Sequence, residues 1–168
     1  MHSIKFRLNI LQTILFNCAQ LKMSSNTLQV ELVDIFAKIP TRAYKSSVGF
    51  DIYSCADDAI EPLSHKLIGT GLKLQPPPGT YIRIAGRSGL ANNHGIIIGG
   101  GVVDTNYLGE IKVILFNLSN KQFRINRGDR ICQGICEKFI SVDIEEVSKI
   151  QIDKDNKRGD KGFGSSGV

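Results

Sequence analysis

Residues 99–117 read GGGVVDTNYLGEIKVILFN. The stretch predicts a glycine-rich β-hairpin with Asp104 and Tyr107 at its tip, feeding a strand over 111–116. Glycine permits backbone turns and close approaches that a Cβ would block. Four more short, polar, glycine-containing blocks accompany it: SVGFDIYSC (47–55), GRSGLA (86–91), RGDRICQGI (127–135) and RGDKGFGSSG (158–167). Glycines placed this way shape a pocket for phosphates and a flat ring.

Outward from that stretch the pattern stays strand-like. Leu28, Val30 and Leu32 alternate with polar residues, a period of two. Short apolar runs recur at 50–52, 69–74, 81–85, 96–98, 123–125 and 131–139, broken by turn signals such as PPPG at 76–79. One segment, 88–93 after Arg87, suits a turn or two of helix. Many short strands and one brief helix predict an all-β domain, a jelly-roll-like distorted barrel. The predicted organisation is an N-terminal extension over 1–26, a β core over 27–152 and a C-terminal arm over 153–168. The arm is charged and glycine-rich, hence mobile by composition. Its lone Phe163 sits between glycines and before two serines, as expected of a lid.

A chain of 168 residues is one domain of ordinary size. Its net charge of +5 is not gathered into one stripe, which argues against a nucleic-acid surface. The four cysteines, Cys18, Cys55, Cys132 and Cys136, form no CxxC pair, and none of the three histidines has zinc spacing. Reduced, mostly buried thiols in a reducing compartment are expected. Residues 1–22 are basic, free of acids and interrupted by Gln12, Asn17 and Gln20, a poor bilayer span. Two readings of them stay open: a mitochondrial-type targeting helix, or a dispensable extension ahead of Met23.

The five blocks, together and in order, resemble the five motifs of the trimeric deoxyuridine triphosphatases (dUTP pyrophosphatases), over residues 28–167. The resemblance implies an all-β homotrimer with shared active sites, in which the arm of one subunit closes a site built by its neighbours. It implies magnesium-assisted hydrolysis of dUTP to dUMP and pyrophosphate, which limits uracil in DNA and supplies dUMP for dTMP synthesis. It also implies roles for individual residues. Asp104 would hold the water that attacks the α-phosphorus. Tyr107 would pack under the deoxyribose. Backbone from Gly99 through Gly101, Val102 and Val103 would read the uracil edge, rigid enough to reject cytosine and thymine. Arg87, Ser88, Gly89 and Gln133 would meet phosphates. Arg158 would meet the γ-phosphate, Phe163 would stack on uracil, and Gly164, Ser165 and Ser166 would bond phosphate oxygens. Magnesium would be carried by the phosphates and water, with Asp51 and Gln133 reaching it through water and no direct protein ligand. Asp129 and Arg130 are expected to be structural, and His94 a surface or interface residue.

The chain departs from the family pattern in three places. Gly86 stands where proline is usual, Leu108 where a polar or basic residue is usual, and Asn106 where an acid is frequent. Two other functions compete. A deaminase of the same fold would release ammonia from dCTP, and a non-catalytic relative would bind nucleotide without turnover. The expected partners are dUTP and further copies of the chain, with neither nucleic acid nor membrane. The expected compartment is intracellular, nuclear or cytoplasmic, unless residues 1–22 direct the chain to mitochondria.

Overall fold

The computed structural model describes residues 26–151. The N-terminal stretch 1–22 and the arm residues Arg158, Phe163, Gly164, Ser165 and Ser166 lie outside the described residues. Within them the chain runs through β1 (Gln29–Leu32), β2 (Phe50–Tyr53), β3 (Asp58–Ile60), β4 (Ser64–Gly69), β5 (Leu72–Gln75) and β6 (Thr80–Ala85). A helix, α1 (Ser88–His94), follows. Then come β7 (Ile96–Gly99), β8 (Val102–Val103), β9 (Lys112–Asn117), β10 (Phe123–Ile125) and β11 (Arg130–Lys138). The expected all-β, jelly-roll-like architecture with one short helix is what the chain adopts.

Two larger antiparallel sheets make the body. One has the order β2-β11-β6-β8 and the other β4-β9-β7; two-stranded ribbons β1-β5 and β3-β10 complete it. Alternation along the strands decides which side faces inward. In β9 Val113, Leu115 and Asn117 point in, and in β6 Ile82 and Ile84 do. They meet Ile52, Ile68, Leu72, Ile96, Ile111, Ile125 and Ile131 in one core. Each such side chain contributes about 1.5–3 kcal/mol when fully buried. Isoleucine dominates this core, as suits the pleated surface of a sheet.

β1 is less buried than its alternation predicts. It pairs only with β5, its Val30 is half-buried, and Leu32 remains 46% exposed. The apolar row is only partly covered: Leu28 and Val30 pack against the core, while Leu32 at the end of the strand does not. The run 69–74 also divides, because Gly71 takes φ 66° between β4 and β5.

The predicted hairpin with Asp104 and Tyr107 at its tip is corrected by the pairing. β8, before the tip, pairs with β6, and β9, after it, pairs with β4 and β7, so the two do not form a ladder with each other. Gly100 at φ 70° and Gly101 at φ 104° carry the chain from one sheet to the other. The Ile84 N–H donates to the Gly101 carbonyl at 2.7 Å, which fastens the crossing to β6.

Buried polar groups are answered locally. The Asn117 side chain donates to the carbonyls of Ile60, Glu61 and Lys121 and accepts from the Ser119 N–H and hydroxyl. It ties β3, β9 and the turn before β10 at one point. Leu63, in the turn after β3, is the one non-glycine residue at positive φ among the described residues, at 52°. A leucine Cβ is strained there and its side chain is mostly exposed. Leu63→Gly is therefore expected to stabilise the fold by about 0.5–1 kcal/mol, the strain relieved less the entropy glycine adds to the unfolded chain. A rise in urea midpoint at unchanged m-value checks it.

Across the outer face of β6 and β11, Glu137 accepts from Arg83 Nε at 2.8 Å and from the Tyr81 hydroxyl at 2.7 Å. The Arg83 bond, then the Tyr81 bond, hold the Glu137 carboxyl below its ordinary value of 4.5. A lowered folded-state pKa means the contribution is present above the unfolded value and fades as pH falls through the folded one. The wild type is expected to lose more stability than Glu137→Gln between pH 6 and pH 3.5. Parallel denaturation curves for the two proteins over that interval would contradict the pairing. Because the pair is exposed, salt is expected to shrink the difference.

Candidate active site

Three of the blocks meet on one sheet. Gln133 of β11 lies opposite Asp51 of β2 on one side and Ala85 of β6 on the other. β6 then runs through Gly86 to Arg87, where α1 begins. Central placement of β11 thus brings residues 51, 86–89 and 133 together, although they are scattered in sequence. They surround a cavity of about 340 Å³ lined by Asp51, Arg87, Ser88, Gly89, Arg130 and Gln133, with Asn93 and His94 at its edge.

Asp51 organises the charges. Its Oδ1 lies 3.1 Å from Arg87 Nε and its Oδ2 lies 3.4 Å from Arg130 Nη1. Arg87 Nη1 also donates to the Arg130 carbonyl at 3.2 Å. The Gln133 amide donates to the Gly86 carbonyl at 2.9 Å, pinning the turn that presents Arg87 and Ser88. Gly49 of the first block is needed for this arrangement, since a Cβ there would strike the Gln133 side chain. Gly89 differs. A Cβ built on it meets no protein atom within 4 Å, so packing within the chain does not require glycine at that position.

The block at 99–117 lies elsewhere. After β8 the main-chain carbonyl of Asp104, not its carboxylate, closes a turn by accepting from the Tyr107 N–H at 3.1 Å. Asp104 is exposed. The Tyr107 hydroxyl donates to the Glu110 carbonyl at 3.0 Å, and its ring lies over Gly109, where a Cβ would collide with it. Gln75 of β5 donates to the Thr105 carbonyl at 3.0 Å and steadies the tip. Tyr107 and Leu108 border a separate cleft of about 450 Å³ against β1 and β5. No lining residue is common to the two cavities. One chain therefore gathers Asp51, Arg87, Ser88, Gly89 and Gln133 on one cavity, while Tyr107 lines the other cleft and Gly99, Gly101, Val102, Val103 and Asp104 line neither of the two.

Residues that the sequence did not single out for the site also line the first cavity, among them Arg130, read as structural, and His94, read as surface or interface. His94 is exposed and its ring lies 5.3 Å from that of Phe123. Only the position of Arg130 three residues before Gln133 hinted at the cavity. Cysteine chemistry does not enter. The Cys132 thiol is fully buried beneath the cavity, and its pKa is pushed far up by burial, then by nearby Asp51, with Arg87 opposing. It stays protonated and inert. Burial also raises Cys55 and Cys136.

Among the described residues, no group of three or more His, Cys, Asp or Glu side chains is gathered to hold a metal. Of the residues lining the cavity, Asp51 alone carries a carboxylate, and it is engaged by two guanidinium groups. That donor set suits a magnesium ion brought in on a polyphosphate better than one caged by protein oxygens.

The class is thus an all-β protein whose four-stranded sheet gathers glycine-flanked polar blocks around a cationic cavity. The dUTPase family model matches residues 36–167. A deoxyuridine 5'-triphosphate nucleotidohydrolase of Candida glabrata is 47% identical over 145 residues, covering 86% of this chain and 99% of the relative. That of Yaba monkey tumor virus is 45% identical, covering 87% of this chain and all of the relative. The human mitochondrial relative is 42% identical over 131 residues, which are 78% of this chain and 51% of that one. The solved dUTPase of Staphylococcus bacteriophage 80alpha with dUPNHPP superposes with a TM-score of 0.79 at 27% identity, covering 86% of this chain and all of that one. The chain belongs to the dUTPase family. Among the described residues no helix is long and apolar enough to cross a membrane.

Proposed function

We propose that the chain hydrolyses dUTP to dUMP and pyrophosphate. The observation that carries this reading is the convergence of Arg87, Ser88, Gly89 and Gln133 on one cavity, with open space at Gly89 for a ligand oxygen. In this reading Ser88, the Gly89 N–H and Gln133 hold the phosphate chain. Asp104 orients one water and takes its proton. The water oxygen bonds the α-phosphorus, the bond to the α,β-bridging oxygen breaks, and pyrophosphate leaves. Magnesium, when bound, neutralises charge on the phosphates. Backbone from Gly99 to Val103 reads the uracil edge, and Tyr107 packs under the sugar.

In this reading the complete site takes Asp104 from a second copy, which agrees with Asp104 lying outside the lining of the phosphate cavity. The resemblance to the trimeric family supports a homotrimer with three such sites, closed by an arm bearing Arg158, Phe163, Gly164, Ser165 and Ser166. The chain acts inside the cell, in nucleus or cytoplasm, with residues 1–22 as a candidate mitochondrial address.

The test is pyrophosphate release from dUTP, dCTP, dTTP and UTP, each with and without Mg²⁺. Magnesium-stimulated turnover of dUTP, with the other three slower by orders of magnitude, is expected. Ammonia release from dCTP, or a folded oligomer that binds dUTP without cleaving it, would replace this reading with one of its rivals.

A further inference from the structure

Two arginines face one carboxylate in the phosphate cavity, and they are not held alike. Arg87 is fastened twice, by Nε to Asp51 at 3.1 Å and by Nη1 to the Arg130 carbonyl at 3.2 Å, and its side chain is 27% exposed. Arg130 is held by a single long bond, Nη1 to Asp51 at 3.4 Å, and its side chain is 51% exposed. Asp51 is only 13% exposed and sits on β2, paired with β11, so the carboxylate is fixed between the two guanidinium groups. One negative charge against two positive charges leaves a surplus of one at the cavity wall. The donors that carry that surplus are those of Arg130, since Arg87 has already committed two of its N–H groups to the chain.

The backbone of β11 places Arg130 to use them. Arg130 opens the strand, opposite Tyr53, and a register shift separates it from Cys132. Its side chain lines the same cavity as Ser88, Gly89 and Gln133, and also a second hollow beside it, shared with Arg87, Leu90, Phe123 and Asp129. It therefore stands where the phosphate cavity runs out towards solvent, with Gln133 deeper on the same strand. A nucleotide held at Gln133 and Ser88 through its inner phosphates would extend its outer phosphates towards that rim.

We infer that Arg130 is a substrate-binding residue, swinging from Asp51 to grip the outer, β and γ, phosphates of the bound triphosphate, while Arg87 is the buttress that keeps Asp51 in place. The inference rests on the dUTPase reading and adds to it a residue that tells a triphosphate from a monophosphate. A guanidinium fork suits this task because it can bond two phosphate oxygens at once, and among the described residues Asp51 alone pairs with it, at 3.4 Å, Asp129 standing farther off in the neighbouring hollow.

The experiment measures binding of dUMP and of non-hydrolysable dUPNHPP to the full chain by calorimetry, with Mg²⁺, for wild type, Arg130→Ala and Arg130→Lys. Melting temperatures are recorded alongside. Loss of one charge-assisted contact of this kind weakens binding roughly 10- to 100-fold. Arg130→Ala is expected to lose that much for dUPNHPP, to stay within about twofold for dUMP and to melt as the wild type does. Arg130→Lys is expected to fall between, because an ammonium keeps the charge and loses the fork. Equal weakening of both ligands, or no weakening of either, overturns the assignment and returns Arg130 to the frame. Should Arg130→Ala fail to fold, Arg130→Lys carries the same comparison. A wild type that binds neither nucleotide overturns the dUTPase reading itself, a result distinct from a variant that fails to discriminate.

Discussion

Asp104→Asn is expected to lower kcat on dUTP by roughly 10²- to 10⁴-fold, the usual contribution of a positioned base, while nucleotide affinity changes little. An asparagine occupies the same volume but cannot take a proton from water. The turn around it should survive, because Tyr107 donates to the Asp104 main-chain carbonyl and not to its carboxylate. The Gln75 bond to the Thr105 carbonyl is likewise independent of the substitution. Single-turnover kinetics with saturating dUTP separate the chemical step from binding. Full activity in Asp104→Asn would remove this residue from the mechanism. The same variant tests the sharing of sites. If Asp104 serves a cavity built by another subunit, unfolding and refolding it together with Arg87→Ala should restore activity that neither variant has alone. Random assembly would leave about one quarter of the sites with both residues intact. No recovery in the mixture would mean that each chain completes its own site.

Much of the fold was legible because its signals are local. Period-two alternation marked β1, short apolar runs marked β6 and β9, the proline and glycine turns separated the strands, and residues 88–93 were expected to be helical where α1 spans Ser88–His94. Pairing was less legible. The block at 99–117 reads as a hairpin with Asp104 and Tyr107 at its tip, yet β8 and β9 on either side of that tip belong to different sheets. Whether a positive-φ glycine pair reverses a strand or passes it across depends on which neighbour takes its hydrogen bonds. Here that neighbour is Ile84, far away in sequence. The site divides in the same way. Arg87, Ser88 and Gln133 announce themselves by residue type and by their glycines. Arg130 looked structural because its partner, Asp51, lies on another strand and the sequence does not show how firmly each arginine is held. The exposure of Leu32 had no local signal either, since burial of an alternating strand depends on what lies against it.

Gly101→Ala is expected to destabilise the chain by about 3 kcal/mol or more, the largest cost among the glycine positions of this crossing. Two penalties fall on the same atom. At φ 104° an alanine Cβ is strained even in open space. Here the Cβ would also lie 2.8 Å from the Ile84 carbonyl oxygen, and a backbone carbonyl cannot rotate away as a flexible side chain can. Relief would require β6 and β8 to separate, which stretches the 2.7 Å bond from the Ile84 N–H to the Gly101 carbonyl. Ile84 is a core residue, so movement there also disturbs packing. Gly100→Ala is the control. Its φ of 70° carries the left-handed strain, but its Cβ meets only the Ile114 side-chain end at 3.8 Å. About 1–2 kcal/mol is expected from that strain alone. Equal losses for the two variants in urea denaturation would mean that the Ile84 contact does not set the crossing. A markedly larger loss at 101 makes that contact the reason the chain passes from one sheet to the other. It would also couple the segment 99–103 to the cavity around Arg87, because β6 continues from Ile84 through Ala85 and Gly86 directly into Arg87.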